Sequence, residues 1–184
     1  IPAWIGIKLS SKGPAIFTQQ RSGRHGHPFK MYKFRTMGTD AEQKKHELEA
    51  MNQMSGPVFK VDKDPRIFPF GRFLRRCSID ELPQLFNVLR GDMNLVGPRP
   101  HPVTNQAVFM EKIAYYGLRS TVCPGVTGWA QIRYGYANNL AEETEKMRYD
   151  LYYIKNRSLW LDLRIMLETV LTVLFGTGAT EVRR

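Results

Sequence analysis

Two adjacent carboxylates, Asp80 and Glu81, stand behind a pair of arginines, Arg75 and Arg76, and ahead of the apolar positions Leu82, Leu85, Phe86 and Leu89. A carboxylate beside fixed positive charge is favoured in its ionised form, which is the form a nucleophile or a ligand of a hard cation requires. The apolar spacing is helical and predicts a helix that begins at the dyad and stops at Gly91. Pro83 lacks the amide proton of an interior helical position but is tolerated in a first turn. Asp80 or Glu81 is therefore the natural N-cap, and Ser78 with Glu81 also reads as a Ser-x-x-Glu capping box. On either reading the helix N-terminus adds to the arginines in keeping Asp80 charged. Plain capping without chemistry fits the same residues. The balance shifts with Val96-Gly-Pro-Arg-Pro100, where prolines on both sides of Arg99 stiffen the backbone under a guanidinium suited to bidentate phosphate binding.

The elements that must position these groups follow from periodicity. Residues 15–19 and 29–35 alternate apolar with polar around a turn at 22–28, a hairpin pattern with Lys30 and Lys33 on opposite faces and Arg35 on the side of Lys33. Residues 40–54 mix charges and predict an exposed helix. A short helix over 68–76 leads into the dyad, and an amphipathic one is expected over 104–120. Residues 123–136 hold glycines that allow close backbone approach and aromatics that could stack on a base or sugar; a turn and a short strand account for them equally well. A helix is expected over 139–156. Ser158 caps a last one, 158–175, so apolar beyond Arg164 that it belongs in a core or against lipid. Residues 1–9, with Trp4, Lys8 and Lys12 nearby, read as the end of a membrane-embedded or interfacial helix, or as a core helix.

With 184 residues, 42% of them hydrophobic, the chain can bury one moderate core, and a single domain over 1–184 is expected. It opens on Ile1, so a larger protein with a further N-terminal part is expected. The net charge is +10 and no acidic residue precedes Asp40, a distribution that calls for an anionic partner. Two cysteines without CxxC spacing give neither a disulfide framework nor a zinc site. No apolar run reaches the roughly 18 residues that span a bilayer.

Five motifs in order then carry a resemblance across nearly all of the chain. Lys33-Phe-Arg-Thr-Met37, Asp80 to Met93, Val96-Gly-Pro-Arg-Pro100, Pro124-Gly-Val-Thr-Gly-Trp-Ala-Gln131 and Asp150-Leu-Tyr-Tyr-Ile-Lys-Asn156 resemble the motif series of the bacterial sugar transferases, monotopic phosphoglycosyl transferases. The resemblance implies transfer of a sugar 1-phosphate from a UDP-sugar to undecaprenyl phosphate, with release of UMP, at the cytosolic face of the bacterial inner membrane. It is the first membrane step of exopolysaccharide, capsule or O-antigen synthesis. It implies that Asp80 is the nucleophile, forming a phosphosugar-aspartyl intermediate, and that Glu81 binds Mg²⁺. By the same resemblance Arg75 and Arg99 hold phosphate, Lys33 assists, and Asp150 belongs to the site. The chain departs from the family pattern at Cys123 and over 132–136, where Arg133 is expected to stand in for a substrate-binding arginine. Residues 1–12 match the exit arm of a re-entrant membrane helix.

The fold expected is α-dominated α+β and membrane-associated: amphipathic surface-lying helices around a compact helical core, with a small antiparallel β element. The implied partners are UDP-sugar, undecaprenyl phosphate and an anionic membrane surface; a homo-oligomer is compatible with this, and nucleic acid is not among them. Two other function classes remain as alternatives. Phe17, Phe29, Tyr32 and Phe34 interleaved with basic residues fit a nucleic-acid-binding module, but no helix carries clustered base-reading residues. A membrane-peripheral scaffold without chemistry leaves Asp80, Glu81 and Arg99 without a role.

Overall fold

A computed structural model describes residues 2–48, 61 and 64–175. Helix α1 (Pro2–Ser10) touches the rest of the molecule through Ile7, buried against Ala15 and Leu74, while Trp4, Ile5 and Leu9 remain exposed. Strands β1 (Ile16–Ser22) and β2 (Pro28–Phe34) form the expected antiparallel hairpin, in register from Ile16↔Phe34 to Ser22↔Pro28. Its alternation separates the two lysines. Lys30 lines a surface groove with Tyr32 and Arg90, whereas Lys33 turns towards the dyad. Helix α2 (Gln43–Glu47) is a short part of the helix expected over 40–54, the rest of which falls outside the described residues.

Helix α3 (Pro69–Arg76) starts with proline in its first turn, where the missing amide proton is no loss. It lies hard against the end of the hairpin: a Cβ on Gly71 would stand 2.3 Å from the Thr36 carbonyl oxygen. The chain then reverses at Ser78, in the left-handed region with φ 54, passes through a 3-10 turn over Ile79–Glu81, and enters helix α4 (Gln84–Leu89). The capping box is therefore absent. No side chain caps either turn, and the helix proper begins after Pro83 rather than at the dyad.

A feature that the sequence pattern did not predict follows. Strands β3 (Asn94–Val96) and β4 (Gly125–Thr127) pair in parallel, Asn94 with Gly125 and Val96 with Thr127, so the β structure is not solely antiparallel. Between them, the helix expected over 104–120 breaks in two. Helix α5 (Val103–Lys112) ends before Tyr115, which takes φ 63, and a 3-10 helix covers Tyr116–Thr121. Helix α6 (Trp129–Arg133) leads to α7 (Leu140–Asn156), capped by Asn139 accepting from the Glu142 amide, and α8 (Leu159–Phe175), where Ser158 accepts from the Leu161 amide as expected.

Three apolar clusters hold these pieces. Ile7, Ala15 and Leu74 join α1 to α3; Phe109, Ile113, Tyr116 and Met147 join α5 to α7; Val96, Tyr153 and Ile165 seat β3 between α7 and α8. The molecule is mainly helical, as expected. Among the described residues no helix is long and apolar enough to cross a membrane.

Candidate active site

The dyad lies where the hairpin, the 3-10 turn and the segment after β3 converge. Asn87 makes the join between two of them: buried on α4, its side-chain oxygen accepts from the Tyr32 amide at 3.0 Å and its amide donates to the Lys30 carbonyl at 2.8 Å. A side-chain amide thus takes the place of a neighbouring strand on β2, and it fixes Lys33, one residue further on, in front of Glu81.

Glu81 is gripped from both sides. Lys33 Nζ lies 2.7 Å from Oε1, and Arg99 donates to Oε1 at 2.6 Å and to Oε2 at 3.3 Å. Burial alone would raise the Glu81 carboxyl, but the Arg99 and Lys33 charges outweigh it and hold the group well below the usual carboxylate range. Burial lowers the Lys33 ammonium, aided by repulsion from Arg99.

Asp80 is the opposite case. It is buried, and no described side chain donates a hydrogen bond to its carboxylate, although Lys33, Arg75 and Arg99 all lie within electrostatic reach. Burial and the neighbouring Glu81 charge push its carboxyl above the ordinary value in spite of those cations. This corrects the expectation that a helix N-terminus and the arginines favour its ionised form: α4 starts too late to serve Asp80, and desolvation is the largest influence. A carboxylate with unengaged lone pairs and raised basicity, facing fixed cations, is what in-line attack on a phosphorus needs.

Arg75 donates through Nε to Thr36 Oγ1 at 2.9 Å, which holds its exposed head beside Asp80. Tyr136 lies within electrostatic reach of both Arg75 and Arg99, so the 132–136 loop reaches the site through its tyrosine. Arg133, expected there, is turned away. It pairs with Glu168 on α8 at 2.9 Å and stacks over the Trp129 ring at 4.5 Å. Asp150 is not brought to the dyad either. It is wholly buried and binds Arg119, whose guanidinium in turn reaches the Arg99 carbonyl. Arg119 and Arg21, both near Arg99, were not singled out for the site, because a lone arginine within an expected helix or hairpin carries no spacing that marks a role.

A hard divalent ion takes one or two carboxylates and completes its shell with water and substrate phosphate. Asp80 and Glu81 supply that donor chemistry, with both Glu81 oxygens engaged by Lys33 and Arg99. Among the described residues no group of three or more His, Cys, Asp or Glu side chains gathers as a metal cage. Within the basic N-terminal part Arg35 is spent internally, buried and donating to Ser11, Pro14 and Met37, whereas Lys8, Lys12, Arg24 and Lys30 are exposed.

The chain is 44% identical over 173 residues to a UDP-N-acetylgalactosamine-undecaprenyl-phosphate N-acetylgalactosaminephosphotransferase of Aeromonas hydrophila, covering 94% of this chain and 38% of that protein. It is 47% identical over 167 residues to the galactosyl transferase CpsE of Streptococcus agalactiae, covering 91% of this chain and 36% of the relative. A UDP-glucose:undecaprenyl-phosphate glucose-1-phosphate transferase of Caulobacter vibrioides is 42% identical over 181 residues, covering 96% of this chain and 63% of the relative. The chain thus spans little more than a third of the length of the first two. The family description "Bacterial sugar transferase" matches residues 1–176, and the chain belongs to the bacterial sugar transferase family.

Proposed function

We propose that the chain is the catalytic domain of an enzyme that moves a sugar 1-phosphate from a UDP-sugar to undecaprenyl phosphate, releasing UMP, at the cytosolic face of the bacterial inner membrane in polysaccharide synthesis. The observation that carries the reading is the contrast within the dyad: Asp80 buried, raised and, among the described side chains, without a hydrogen-bond donor, beside Glu81 locked by Arg99 and Lys33. The names of the relatives support the substrates, since two of the three quoted carry undecaprenyl phosphate and a UDP-sugar. Those names differ in the sugar.

A carboxylate oxygen of Asp80 attacks the β-phosphorus of the UDP-sugar. The bond from that phosphorus to the bridging oxygen breaks, and UMP departs with the electron pair. An oxygen of the lipid phosphate then attacks the same phosphorus, and the Asp80 carboxylate leaves. Neither step needs a proton from the protein. Arg99, Lys33 and Arg75 supply fixed positive charge where negative charge gathers on the phosphoryl oxygens. An arriving diphosphate competes with Glu81 for Arg99 and Lys33, and Glu81 is the residue that would hold Mg²⁺. When bound, the ion neutralises diphosphate charge.

Membrane docking is part of the same proposal. Exposed Trp4 and Leu9 on α1, Phe73 on α3, and Leu82, Leu85, Phe86 and Leu89 at α4 supply apolar contacts, and the net charge of +10 suits anionic headgroups.

The test is UMP release over a panel of UDP-sugars with undecaprenyl phosphate and Mg²⁺, paired with capture of radiolabelled sugar phosphate on the protein. Release with at least one sugar is expected, with label that disappears in Asp80→Asn. Label surviving that change would remove Asp80 as nucleophile, and silence across the panel would remove the activity.

A further inference from the structure

Arg99 carries the grip on Glu81, and its own backbone is fastened with unusual completeness. Pro98 and Pro100 have no amide proton to offer, yet four consecutive carbonyls here each accept a hydrogen bond. The Pro98 oxygen accepts from the Gly125 amide at 3.0 Å, and that of Arg99 from Arg119 Nη2 at 3.1 Å. The Pro100 oxygen accepts from Arg21 Nη1 at 2.8 Å, and that of His101 from the Ser22 amide at 3.0 Å. Three of the four donors belong to β4 or β1. The fourth, on Arg99 itself, is a side chain that must be held from elsewhere.

What holds it is a buried polar chain from α7. Arg119 Nε donates to Asp150 Oδ2 at 2.7 Å, and Arg119 Nη1 donates to the Tyr116 hydroxyl at 3.0 Å. That hydroxyl donates to Glu143 Oε1 at 2.6 Å, and the guanidinium lies over the Tyr116 ring at 4.9 Å. Tyr116, Arg119, Glu143 and Asp150 are all at least nineteen-twentieths buried, so none of them presents a polar atom to a solvent-borne substrate. Burying such charges is expensive unless every partner is in place. A cluster of apolar residues would stabilise α5 and α7 as well, so packing alone does not account for it.

We propose that Asp150 and Arg119 are positioning residues for the transferase reaction: Asp150 aims Arg119 at the Arg99 carbonyl, which sets the Arg99 guanidinium against Glu81. The inference rests on the function proposed above for Asp80, Glu81 and Arg99, and it moves Asp150 from substrate contact to support of an arginine that makes that contact. Displacing Arg99 by about 1 Å is expected to lower kcat/KM for the UDP-sugar by on the order of 100-fold.

The test joins a double-mutant cycle to a direct view of Arg99. Asp150→Asn alone leaves a buried guanidinium unpaired and can unfold the protein, so the key variant is Asp150→Asn with Arg119→Gln, which removes both charges together. In the purified protein the Arg99 guanidinium N–H signals are read by NMR, assigned by their loss in Arg99→Lys and checked by their change in Glu81→Gln. In the double variant, with a cooperative melt retained, these signals are expected to move or broaden and kcat/KM to fall about 100-fold. Each single change that folds should cost as much as the pair, since both break one linkage. Unaltered Arg99 signals overturn the proposal whatever the turnover. So do losses that multiply across the two single changes, which would place Asp150 and Arg119 in separate roles. Should the double variant not fold, Arg119→Lys carries the same reading, because one ammonium cannot span Asp150 and the Arg99 carbonyl as the guanidinium does. Wild-type protein that releases no UMP would reject the proposed function, while the Arg99 signals would still decide the positioning role.

Discussion

Asp80 and Glu81 are neighbours in sequence and opposites in environment. Glu81 holds two cations and is pulled below its ordinary range, while Asp80 is buried without a donor among the described side chains and is pushed above its own. The two therefore affect stability with opposite sign. A carboxylate raised on folding makes the folded state less favourable once it ionises, so Asp80→Asn should stabilise the protein while abolishing turnover. A Tm higher by about 2–4 °C is the scale to look for, the shift that roughly 1 kcal/mol produces in a domain of this size. Glu81→Gln should do the reverse, costing about 1–3 kcal/mol because Arg99 and Lys33 lose their common partner. Its pH dependence follows from the direction of the shift. Glu81 is depressed on folding, so its contribution is fully present above the unfolded value of 4.5 and is lost as pH falls through the lower folded value. Wild type and Glu81→Gln should accordingly differ by a constant amount near neutrality and converge in acid. A lowered Tm in Asp80→Asn, measured by calorimetry beside the wild type, would contradict this account of the dyad. The sequence showed which residues form the dyad and not their electrostatic division, because Ser78 in the left-handed region turns the chain away from the helix start that the spacing predicts.

At the scale of elements, Arg99 depends on a parallel pair of three-residue strands. β3 and β4 approach so closely that a Cβ on Gly125 would meet the Gly97 nitrogen at 2.1 Å and the Val96 carbonyl carbon at 2.6 Å, all of it backbone that cannot swing aside. Gly125→Ala should thus part the strands, with a loss of about 1–3 kcal/mol and a fall in turnover as Arg99 shifts. Retained Tm and activity would show that the pair does not position Arg99. The glycines of this stretch were legible as a place of close approach, but the partner proved to be the chain itself. Short parallel strands remote in sequence leave no alternation to read, which is why β3 and the parallel pairing were missed, and why β4 was legible only as the short strand that was one of two readings of 123–136, while the seven-residue hairpin and the long α7 and α8 were plain. The helix expected over 104–120 failed for a related reason. Its apolar period continues through Tyr116, and the break at Tyr115 comes from a backbone conformation that periodicity does not encode. The buried chain from Glu143 to Arg119 was equally silent, since Glu143 and Arg119 each read on their own as surface residues and Tyr116 as a plain apolar position.

At the scale of the molecule, α8 is the largest element whose role packing does not explain. Ile165 is fully buried against Val96 and Tyr153, and Thr169 bonds Thr127, so one face is committed to the fold. The other face is apolar and open, with Trp160 80%, Leu163 46%, Leu167 62%, Val170 53% and Leu174 72% exposed. The alternation of three- and four-residue steps makes these five a continuous stripe along the helix. For a protein proposed to accept a lipid phosphate, a stripe of that kind together with the positive charge fits a helix lying in an anionic bilayer surface. Leu163→Glu with Leu167→Glu then tests the fit. Both positions are exposed, so Tm should stay close to that of the wild type. Flotation with vesicles containing anionic lipid should weaken by at least about 100-fold, since each leucine forfeits about 1.5–3 kcal/mol of apolar burial. Raising salt should weaken the residual binding further, because the headgroup attraction is screened over about 8–10 Å at ordinary ionic strength. Undiminished flotation in the folded double variant would mean that α8 does not lie against lipid. Sedimentation of the same variant separates a further outcome: a loss of self-association with flotation intact would assign the stripe to a second copy of the chain.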